Sequence, residues 1–565
     1  MIRRVWAAHI LALTILTSAC RQNSAPDMVL WNGTIFTADA RRPRVQALAI
    51  RGERILAVGS SAEMRALAGW KTRLIDLQQR VVIPGLNDAH YHFAPDPQGQ
   101  TLPVSGSNWT ETAIAVEAAV SKGLPGTWMF GSVDANVMLD PGANRAALDP
   151  IAPDRPVLLR SSSGHGYLLN SCAMRLLDIG EAEPDPAGGY FERLPGGRRI
   201  NGKLWEYAEW KPNRVLASRI MDQTAIQALR SLAQEAATYG ITSMQIFPSM
   251  PVDRFARLAA QADLPIRVRV MAFPPTGPGG RDQAEIRQIS RLVFPNSRVR
   301  VSGIKWILDG TPAERGAALL HSYADRPGWF GKLNFPEPDV ALMFWESRDL
   351  EQQLLLQCVG DRAAEVALQA MEDTGSTVDW RLKRVRIERG DGMIGKLIFR
   401  AQRLGVIVVQ SPARFVPALN ARWGDQMQPL RSLLHAGIPL ALGSDGPLNP
   451  WLNIMLAATH PSHSAEAISR DEAVAKGDGY LHPSVSDAVL SDYRRHVTDP
   501  LDLLSSRERE VLQLIAEGKT NKDIATLLNL SVYTVDAHRG RIMEKLNLHS
   551  TGELVRFAVR KGLID

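Results

Sequence analysis

Cysteine is scarce in this 565-residue chain, which contains only Cys20, Cys172 and Cys358. The three lie far apart and none forms a C-x-x-C pair, which argues against a disulfide framework and a cysteine-ligated zinc site. A strong charge bias is also lacking, because 65 Lys and Arg residues oppose 59 Asp and Glu residues. The resulting net charge of +6 permits contact with nucleic acid or an anionic membrane without requiring either.

The first twenty residues have the order of an export signal. Arg3 and Arg4 precede an apolar run from Val5 to Thr17, which is followed by small residues and Cys20. The run is too short for a membrane-spanning helix. Its ending, LTSAC, resembles a bacterial lipobox, which implies a lipid on Cys20 and membrane anchoring. The alternative is an ordinary N-terminal helix.

The stretch Val81–Phe93, VVIPGLNDAHYHF, carries two histidines one residue apart. Its apolar start predicts a buried strand that leads into a Pro84-Gly85 turn. On an extended strand residues i and i+2 point to the same side, so His90 and His92 can aim at one point. Two neutral imidazoles that converge suit a divalent metal such as zinc. The alternative is a pair of surface histidines in a loop.

The rest of the first 460 residues reads as strands, turns and helices. Period-two apolarity over Met28–Asp76, interrupted at Asn32-Gly33 and Arg51-Gly52, predicts hairpins. From Trp109 to Pro461 strands alternate with helical stretches, which predicts a parallel sheet and an α/β barrel of the TIM type. The predicted strands include 157–161, 241–247, 266–273, 304–310, 354–360, 385–390, 406–412 and 439–446. Active sites of such barrels lie at the C-terminal strand ends.

The segment Val81–Phe93 resembles the metal-binding end of the first barrel strand in the amidohydrolase superfamily. Met28–Asp76 is similar to the small β-sandwich in the branch that includes N-substituted formamide deformylase, and the resemblance runs to about Pro461. It implies metal-dependent hydrolysis of a non-peptide C–N bond in a small amide-type molecule.

The resemblance also implies site residues. Lys305 in IKWILDG matches a lysine that is carboxylated and bridges two metals, and Asp445 in LALGSDGP matches the aspartate that binds metal and takes the proton of the attacking water. His165 in SSGHGYLLN and Glu206 in NGKLWEYA match motifs that face the substrate, and His165 would help to polarise the carbonyl. The alternatives are a Lys305 whose ammonium escapes to solvent, an Asp445 that caps a turn, and structural roles for the other two.

Two departures from the family pattern concern the metal. Gln357 in QCVGDRA and Arg389 in IER stand where the family has histidines that hold the second ion. A guanidinium has no lone pair to donate and stays cationic, so an Arg389 that points at the site would repel a cation. The sequence therefore predicts one zinc ion rather than two, with Lys305 as a possible fourth ligand to the set His90, His92 and Asp445. Hydrolysis is expected to be impaired.

The barrel is followed by a sequence that does not resemble the amidohydrolase family. In the family the chain returns to complete the β-sandwich, but no matching segment occurs here, which predicts an incomplete sandwich with open edges. From about Glu472 the chain instead resembles the last receiver helix and linker of a NarL-type response regulator. The predicted domains are a signal peptide (1–20), part of a β-sandwich (26–80), the barrel (81–470), the linker (471–500) and a C-terminal domain (501–565).

The C-terminal domain is predicted to be an all-α, four-helix helix-turn-helix module. Ser505 with Glu508 and Thr520 with Asp523 predict capping boxes before two helices, and Gly518 ends the first of them. Further helices are predicted over 532–546 and 551–561. A short turn joins the second and third helices, and the third helix carries basic residues. This arrangement is typical of a helix-turn-helix whose second helix recognises the DNA major groove.

This module resembles the LuxR/NarL class, which implies binding to duplex DNA and a possible homodimer. The resemblance places five residues against bases or backbone (Thr534, Val535, Asp536, His538 and Arg539) and two near phosphates (Lys522 and Lys545). The alternative is an interaction module that does not contact DNA. A second function therefore stays open, a transcription regulator whose barrel is a degenerate ligand sensor or a vestige. It would place the protein in the cytoplasm rather than at the membrane.

Overall fold

The computed structural model describes residues 25–476 and 504–558, with gaps at 40, 96–98, 103–107, 123–125, 290, 295–297, 351, 375–378, 425–426, 505, 529, 547, 549–553 and 556. The predicted signal peptide with Cys20, and most of the predicted linker, lie outside the described residues. The chain divides into two compact units, Met1–Tyr480 and Leu481–Asp565. Within the described part, none of the helices combines the length and apolarity needed to cross a membrane.

Two small sheets precede the barrel. The four-stranded sheet has the order β5-β4-β1-β6 and the three-stranded sheet the order β3-β2-β7. Their strands are β1 (Met28–Trp31), β2 (Thr34–Phe36), β3 (Arg44–Val45), β4 (Ala47–Arg51), β5 (Arg54–Gly59), β6 (Arg73–Asp76) and β7 (Val81–Val82), and helix α1 covers Ser61–Ala66. The turn at Arg51-Gly52 joins the antiparallel pair β4 and β5. The predicted hairpin at Asn32-Gly33 is wrong, because β1 and β2 belong to different sheets.

The four-stranded sheet exposes apolar side chains on its edge strands. On β5, Ile55 is 66% exposed and Leu56 40%, and on the opposite edge Leu74 of β6 is 47% exposed. A complete sandwich would cover such residues, since large apolar side chains gain free energy on burial. The sheets are therefore those of an incomplete sandwich, as the sequence predicts.

The first barrel strand, β8 (Leu86–Phe93), is followed by an inserted six-stranded sheet of order β13-β14-β12-β11-β10-β9. Its strands are β9 (Gln100–Thr101), β10 (Met129–Val133), β11 (Val157–Ser161), β12 (Gly166–Leu169), β13 (Gly189–Arg193) and β14 (Ile200–Glu206), with helices α2 (Trp109–Val120), α3 (Ala135–Leu139), α4 (Arg145–Leu148) and α5 (Ser171–Leu176). The stretch 157–161 is thus not a barrel strand. It pairs parallel with β10 and antiparallel with β12, and its short apolar run, Val157–Leu159, is compatible with either kind of sheet.

The barrel contains eight parallel strands in the order β23-β22-β21-β20-β19-β16-β15-β8. Its later strands are β15 (Ile241–Pro248), β16 (Arg267–Ala272), β19 (Val299–Ile307), β20 (Gln353–Cys358), β21 (Arg386–Arg389), β22 (Ile407–Gln410) and β23 (Leu440–Leu442), and β17 (Thr276–Gly277) with β18 (Gly280–Arg281) forms a hairpin. Just after β23, the Asp445 N–H donates to the carbonyl of His90 on β8 at 2.9 Å, which joins the last strand to the first.

Helices connect the strands of the barrel and pack around it. They are α6 (Trp210–Ser218), α7 (Asp222–Thr238), α8 (Val252–Gln261), α9 (Gln283–Ile289), α10 (Glu337–Asp349), α11 (Asp361–Asp373), α12 (Trp380–Lys383), α13 (Lys396–Leu404), α14 (Asn420–Trp423), α15 (Leu430–His435), α16 (Pro450–Thr459) and α17 (Arg470–Lys476). This strand–helix alternation places the C-terminal ends of all eight strands at one mouth of the barrel.

The second unit contains helices α18 (Ser506–Ala516), α19 (Asn521–Leu527) and α20 (Val532–Leu546). Thr520 and Asp523 form the predicted capping box, whereas Ser505 lies outside the described residues. Gly518, with a φ of +81°, occupies the left-handed conformation that suits a helix end. The predicted fourth helix is described only at 554–555 and 557–558, where Leu554 and Ala558 are buried.

Candidate metal and substrate site, and candidate DNA-binding surface

The candidate metal site lies at the C-terminal ends of the barrel strands. His90 and His92 belong to β8 itself, whereas the apolar pair Val81–Val82 before the turn belongs to the three-stranded sheet as β7. The predicted strand is therefore displaced by a few residues, because the Pro84-Gly85 turn separates two strands instead of ending one. The i, i+2 argument still applies, since both histidines lie on one extended strand.

His90, His92 and Asp445 bring their ligand atoms to within 4.8 Å of one another. The two Nε2 atoms are 3.2 Å apart, and Asp445 Oδ1 is 3.8 Å from His90 Nε2. Burial and the neighbouring Lys305 lower the pKa of both histidines, which favours the neutral form that binds a metal. This donor set fits one divalent ion, and it is the one group of this kind in the part of the chain that the structure describes.

Lys305 is fully buried and does not reach solvent. Its Nζ is 3.1 Å from His90 Nε2 and 3.2 Å from His92 Nε2, so it faces the same point as the two imidazoles. Burial lowers the pKa of Lys305 to about 8. The structure thus brings Lys305 together with the predicted metal ligands.

A buried carboxylate orients His90. Glu388 Oε2 lies 2.6 Å from His90 Nδ1, and both side chains are 0% exposed. A partner on Nδ1 directs Nε2 toward a metal and is common behind ligating histidines. Glu388 also accepts from Arg386 at 2.7 Å. The role of these two residues was missed from the sequence, although charged residues within a predicted barrel strand were an available signal, since such residues are seldom buried without a partner.

Arg389 does point toward the site, but it is paired. Its Nη1 lies 3.6 Å from Asp445 Oδ2, and its Nη2 donates to Asp391 at 2.8 Å. The side chain is almost completely buried, and Asp391 is a partner that sequence reasoning missed. The Gln357 amide contacts His165 instead of the metal ligands, with its Nε2 3.1 Å from His165 Nε2. A second ion does not fit these residues.

His165 and Glu206 meet beside the metal site. His165 Nδ1 lies 2.9 Å from Glu206 Oε2. Burial alone disfavours the imidazolium, but the charge and hydrogen bond of Glu206 outweigh it and raise the pKa of His165. A half turn of the Gln357 amide would present its oxygen to a protonated Nε2. The pair therefore forms a polar, preoriented wall rather than two separate structural residues.

These residues border a cavity of about 320 Å³, within the range of small-molecule sites. Its wall includes His92, His165, Glu206, Glu209, Gln357, Arg414 and Asp445. Arg414 Nε lies 3.5 Å from Asp445 Oδ2, a contact that the sequence did not predict. Burial would raise the pKa of Asp445, but the positive charges of Arg414 and Arg389 lower it strongly. Burial and the charge of Glu206 raise the pKa of Glu209 well above its ordinary value.

The candidate DNA-binding surface lies on α19 and α20. Asp536 is exposed and accepts from Asn521 at 2.7 Å, and Arg539 Nη1 donates to the same Asn521 at 3.4 Å. Thr534 is half-buried at the start of α20, and its hydroxyl lies 2.7 Å from Ser531 Oγ. Lys522 is exposed and His538 is half-buried.

Val535 is completely buried in the core of the unit with Leu512, Ile524 and Ile542. Its assignment as a DNA contact is corrected, because a side chain without exposed surface cannot contact a base. The side chain of Lys545 lies outside the described residues.

A candidate metal-binding group at the mouth of an eight-stranded parallel barrel, beside a small cavity, is the arrangement of an amidohydrolase-type barrel, and the second unit is a helix-turn-helix. Comparison with known proteins agrees. Residues 73–476 match the amidohydrolase family, and residues 502–558 match the LuxR family of bacterial regulatory proteins. The chain belongs to the amidohydrolase family, fused to a LuxR-type DNA-binding domain.

Individual relatives support both parts. The chain is 24% identical over 546 residues to N-substituted formamide deformylase of Arthrobacter pascens, which covers 87% of this chain and 97% of that protein. A structure of an uncharacterized metal-dependent hydrolase from Pyrococcus horikoshii superposes with a TM-score of 0.60 at 19% identity, over 82% of this chain and 94% of the other. The oxygen regulatory protein NreC of Staphylococcus carnosus is 41% identical over 107 residues, 18% of this chain and 49% of NreC.

Proposed function

We propose that the barrel binds one zinc ion through His90, His92 and Asp445, and that it slowly hydrolyses the C–N bond of a small amide-type substrate. The observation that carries this proposal is the convergence of the three ligand groups within 4.8 Å beside a cavity of small-molecule size. Lys305 supplies a fourth donor when its amine is neutral.

When bound, the ion supplies the Lewis acidity that such hydrolysis requires. Asp445 faces the cavity and takes the proton of the attacking water. His165, held by Glu206, donates toward the substrate carbonyl. The reaction is slow because Arg389 and Arg414 lie 3.6 and 3.5 Å from Asp445 Oδ2 and hold its pKa low, and a weaker base accepts a proton less readily.

Metal analysis and a hydrolysis assay test this function together. The purified full-length protein should contain about one zinc ion per chain and release amine from an N-substituted formamide, a substrate class suggested by the relative from Arthrobacter. Asp445→Asn should abolish release of the amine. Asp325→Asn is the control, because it breaks a partly exposed ion pair with Arg315 away from the site, and it should leave the release intact. Two tightly held ions would contradict the proposed site. One ion without hydrolysis would favour a ligand-sensing barrel.

For the second unit we infer that Thr534, Asp536, His538, Arg539, Lys522 and Lys545 contact duplex DNA. The exposed Asp536 and the Arg539 beside it support this, since both lie on the first turns of the helix that enters the groove in this class. Homodimer formation would strengthen a surface with so few charges. A fragment spanning 499–565 should shift duplex DNA in a salt-dependent manner. Equal binding at low and high salt would contradict phosphate contacts.

We further propose that the N-terminus directs the protein to the membrane through a lipid on Cys20. In that case the DNA-binding unit leaves the cytoplasm with the rest of the chain, since a lipidated N-terminus is a sorting signal for everything that follows it. Fractionation of cells that express a C-terminally tagged full-length chain tests this. Recovery in the membrane fraction, lost on Cys20→Ser, is expected. A soluble protein that retains Met1 would restore the regulator function instead.

A further inference from the structure

The N-terminal end of the barrel, opposite the candidate metal site, contains a second cavity of about 760 Å³. It is bordered by the first residues of several barrel strands. Barrel interiors are usually filled by layers of bulky branched side chains. Here small or polar residues occupy several of these positions, namely Asn87, Ala89, Ser302 and Ala441. They leave this end of the barrel open, and we call the space the floor cavity.

The lining of this cavity is cationic. Five basic residues border it, and the described lining contains no acid; the basic residues are Arg269, Arg300, Lys383, Arg384 and Arg386. They come from three separate parts of the barrel, the strands β16 and β19 and the segment that runs from α12 into β21. Like charges collected in a partly desolvated space repel one another.

Arg386 is already neutralised. Its guanidinium is ion-paired with Glu388 at 2.6 Å and donates to the Ala89 carbonyl at 2.9 Å. Lys383 donates to the Leu350 carbonyl at 2.8 Å, a partner that satisfies a donor without cancelling its charge. The excess positive charge therefore resides on the other four basic residues.

Arg269 shows the effect of this crowding. It is half-buried, and among the described residues its hydrogen bonds go to two uncharged groups, Ser302 at 3.1 Å and Gln353 at 3.4 Å. Burial and the charges of Arg386 and Arg384 lower the pKa of Arg269 to about 10. An anion placed among these guanidiniums would remove the repulsion and replace the lost hydration.

We propose that the floor cavity is a binding site for a small polyvalent anion that carries phosphate or several carboxylates. The guanidinium fork matches the oxygens of both groups with paired hydrogen bonds. The cavity volume lies within the ~300–1,000 Å³ range of small-ligand sites. The cavity lies at the end of the barrel opposite the candidate metal site, and the buried pair Arg386–Glu388 lies between the cavity and His90.

Isothermal titration of the full-length protein with inorganic pyrophosphate tests this proposal, with citrate as the polycarboxylate arm. Metal at the other mouth is first removed with EDTA, and the EDTA, itself a polycarboxylate, is then removed by dialysis so that neither the metal nor the chelator competes for the probe. Binding of either probe is expected, and the pair shows which anion is preferred. Arg269→Ala combined with Arg384→Ala should weaken binding at least about tenfold, since charge-assisted hydrogen bonds are lost. Arg300→Ala, on an exposed side chain, should also weaken it and should not affect folding.

Two control variants make the result specific. Arg267→Ala removes an exposed cation of β16 outside the cavity, and Arg539→Ala removes one from the DNA-binding surface; both should bind the probes as the parent does. No binding of pyrophosphate or citrate in low salt would overturn the proposal. So would binding that survives in the Arg269 and Arg384 double variant and in Arg300→Ala, or that is lost in Arg539→Ala.

Discussion

The replacement Glu388→Gln tests how the metal site is held. Glu388 connects His90 to Arg386. Its Oε2 lies 2.6 Å from His90 Nδ1 and its Oε1 lies 2.6 Å from Arg386 Nη2, and none of the three side chains is more than 4% exposed. Glutamine has nearly the same shape as glutamate but no charge. The variant therefore removes the ion pair and weakens the hold on His90 without creating a cavity.

The replacement should lower both the unfolding free energy and the affinity for metal. Arg386 would remain buried without a counter-charge, and breaking a buried pair in this way costs about 3–5 kcal/mol of unfolding free energy. His90 would lose the carboxylate behind its ligating nitrogen, and such losses weaken metal binding by about 10–100-fold. Stability should therefore fall even without metal, and zinc affinity should fall in addition.

Tryptophan fluorescence during urea unfolding measures the first effect. All 13 tryptophans precede residue 452, so the signal reports the barrel unit and not the DNA-binding unit. The metal-free protein gives the stability change, and competition with a zinc chelator gives the affinity change. Glu372→Gln is the matched control, because Glu372 is also paired with arginines but is 23% exposed. Its loss should cost no more than about 1 kcal/mol. If the two variants lose equal stability, the buried contacts of Glu388 with His90 and Arg386 do not hold the site.

Other predictions concern DNA and pH. Arg539→Ala should reduce DNA binding by the 499–565 fragment and make it less salt-dependent, whereas Arg509→Ala on the first helix should not; gel shifts at two salt concentrations decide this. The arginine pairs of Glu372, Asp222 and Asp325 should stop stabilising the barrel as the pH falls below about 4.5, because hydrogen bonds from arginine lower the pKa of these carboxyls. Carboxyls of this kind stabilise the fold above their unfolded pKa and lose that contribution as they are protonated. The difference in urea stability between the parent and Glu372→Gln should therefore shrink from pH 7 to pH 3.5.

The sequence predicted the barrel because its signals are local. Apolar runs, turn residues and strand–helix alternation can all be read within about ten residues. The convergence of His90 and His92 also follows from strand geometry alone. The same logic failed for 157–161, since a buried strand in an inserted sheet and one in a barrel have the same composition.

The supporting contacts could not be predicted because they join distant parts of the chain. Glu388 and His90 are separated by 298 positions, and Arg414 meets Asp445 from another strand end. No periodicity encodes such pairs. Val535 shows the converse difficulty. An apolar residue in a recognition helix satisfies both a core pattern and a family match, and only its complete burial decides between them.

Arg389 offers a sharp test of the proposed single ion. An arginine at a ligand position repels a cation. In the structure the Arg389 guanidinium pairs with Asp391 and lies 3.6 Å from Asp445, so it places positive charge where the sequence resemblance implies a second ion. Replacing Gln357 and Arg389 together by histidine should raise the zinc content from about one to about two ions per chain, because two imidazoles replace a cation and a non-ligand. Arg389→Lys is the control, since it keeps the charge and should keep one ion. Elemental analysis that finds one ion in the folded double histidine variant, at excess zinc, would show that more than these two side chains excludes the second metal.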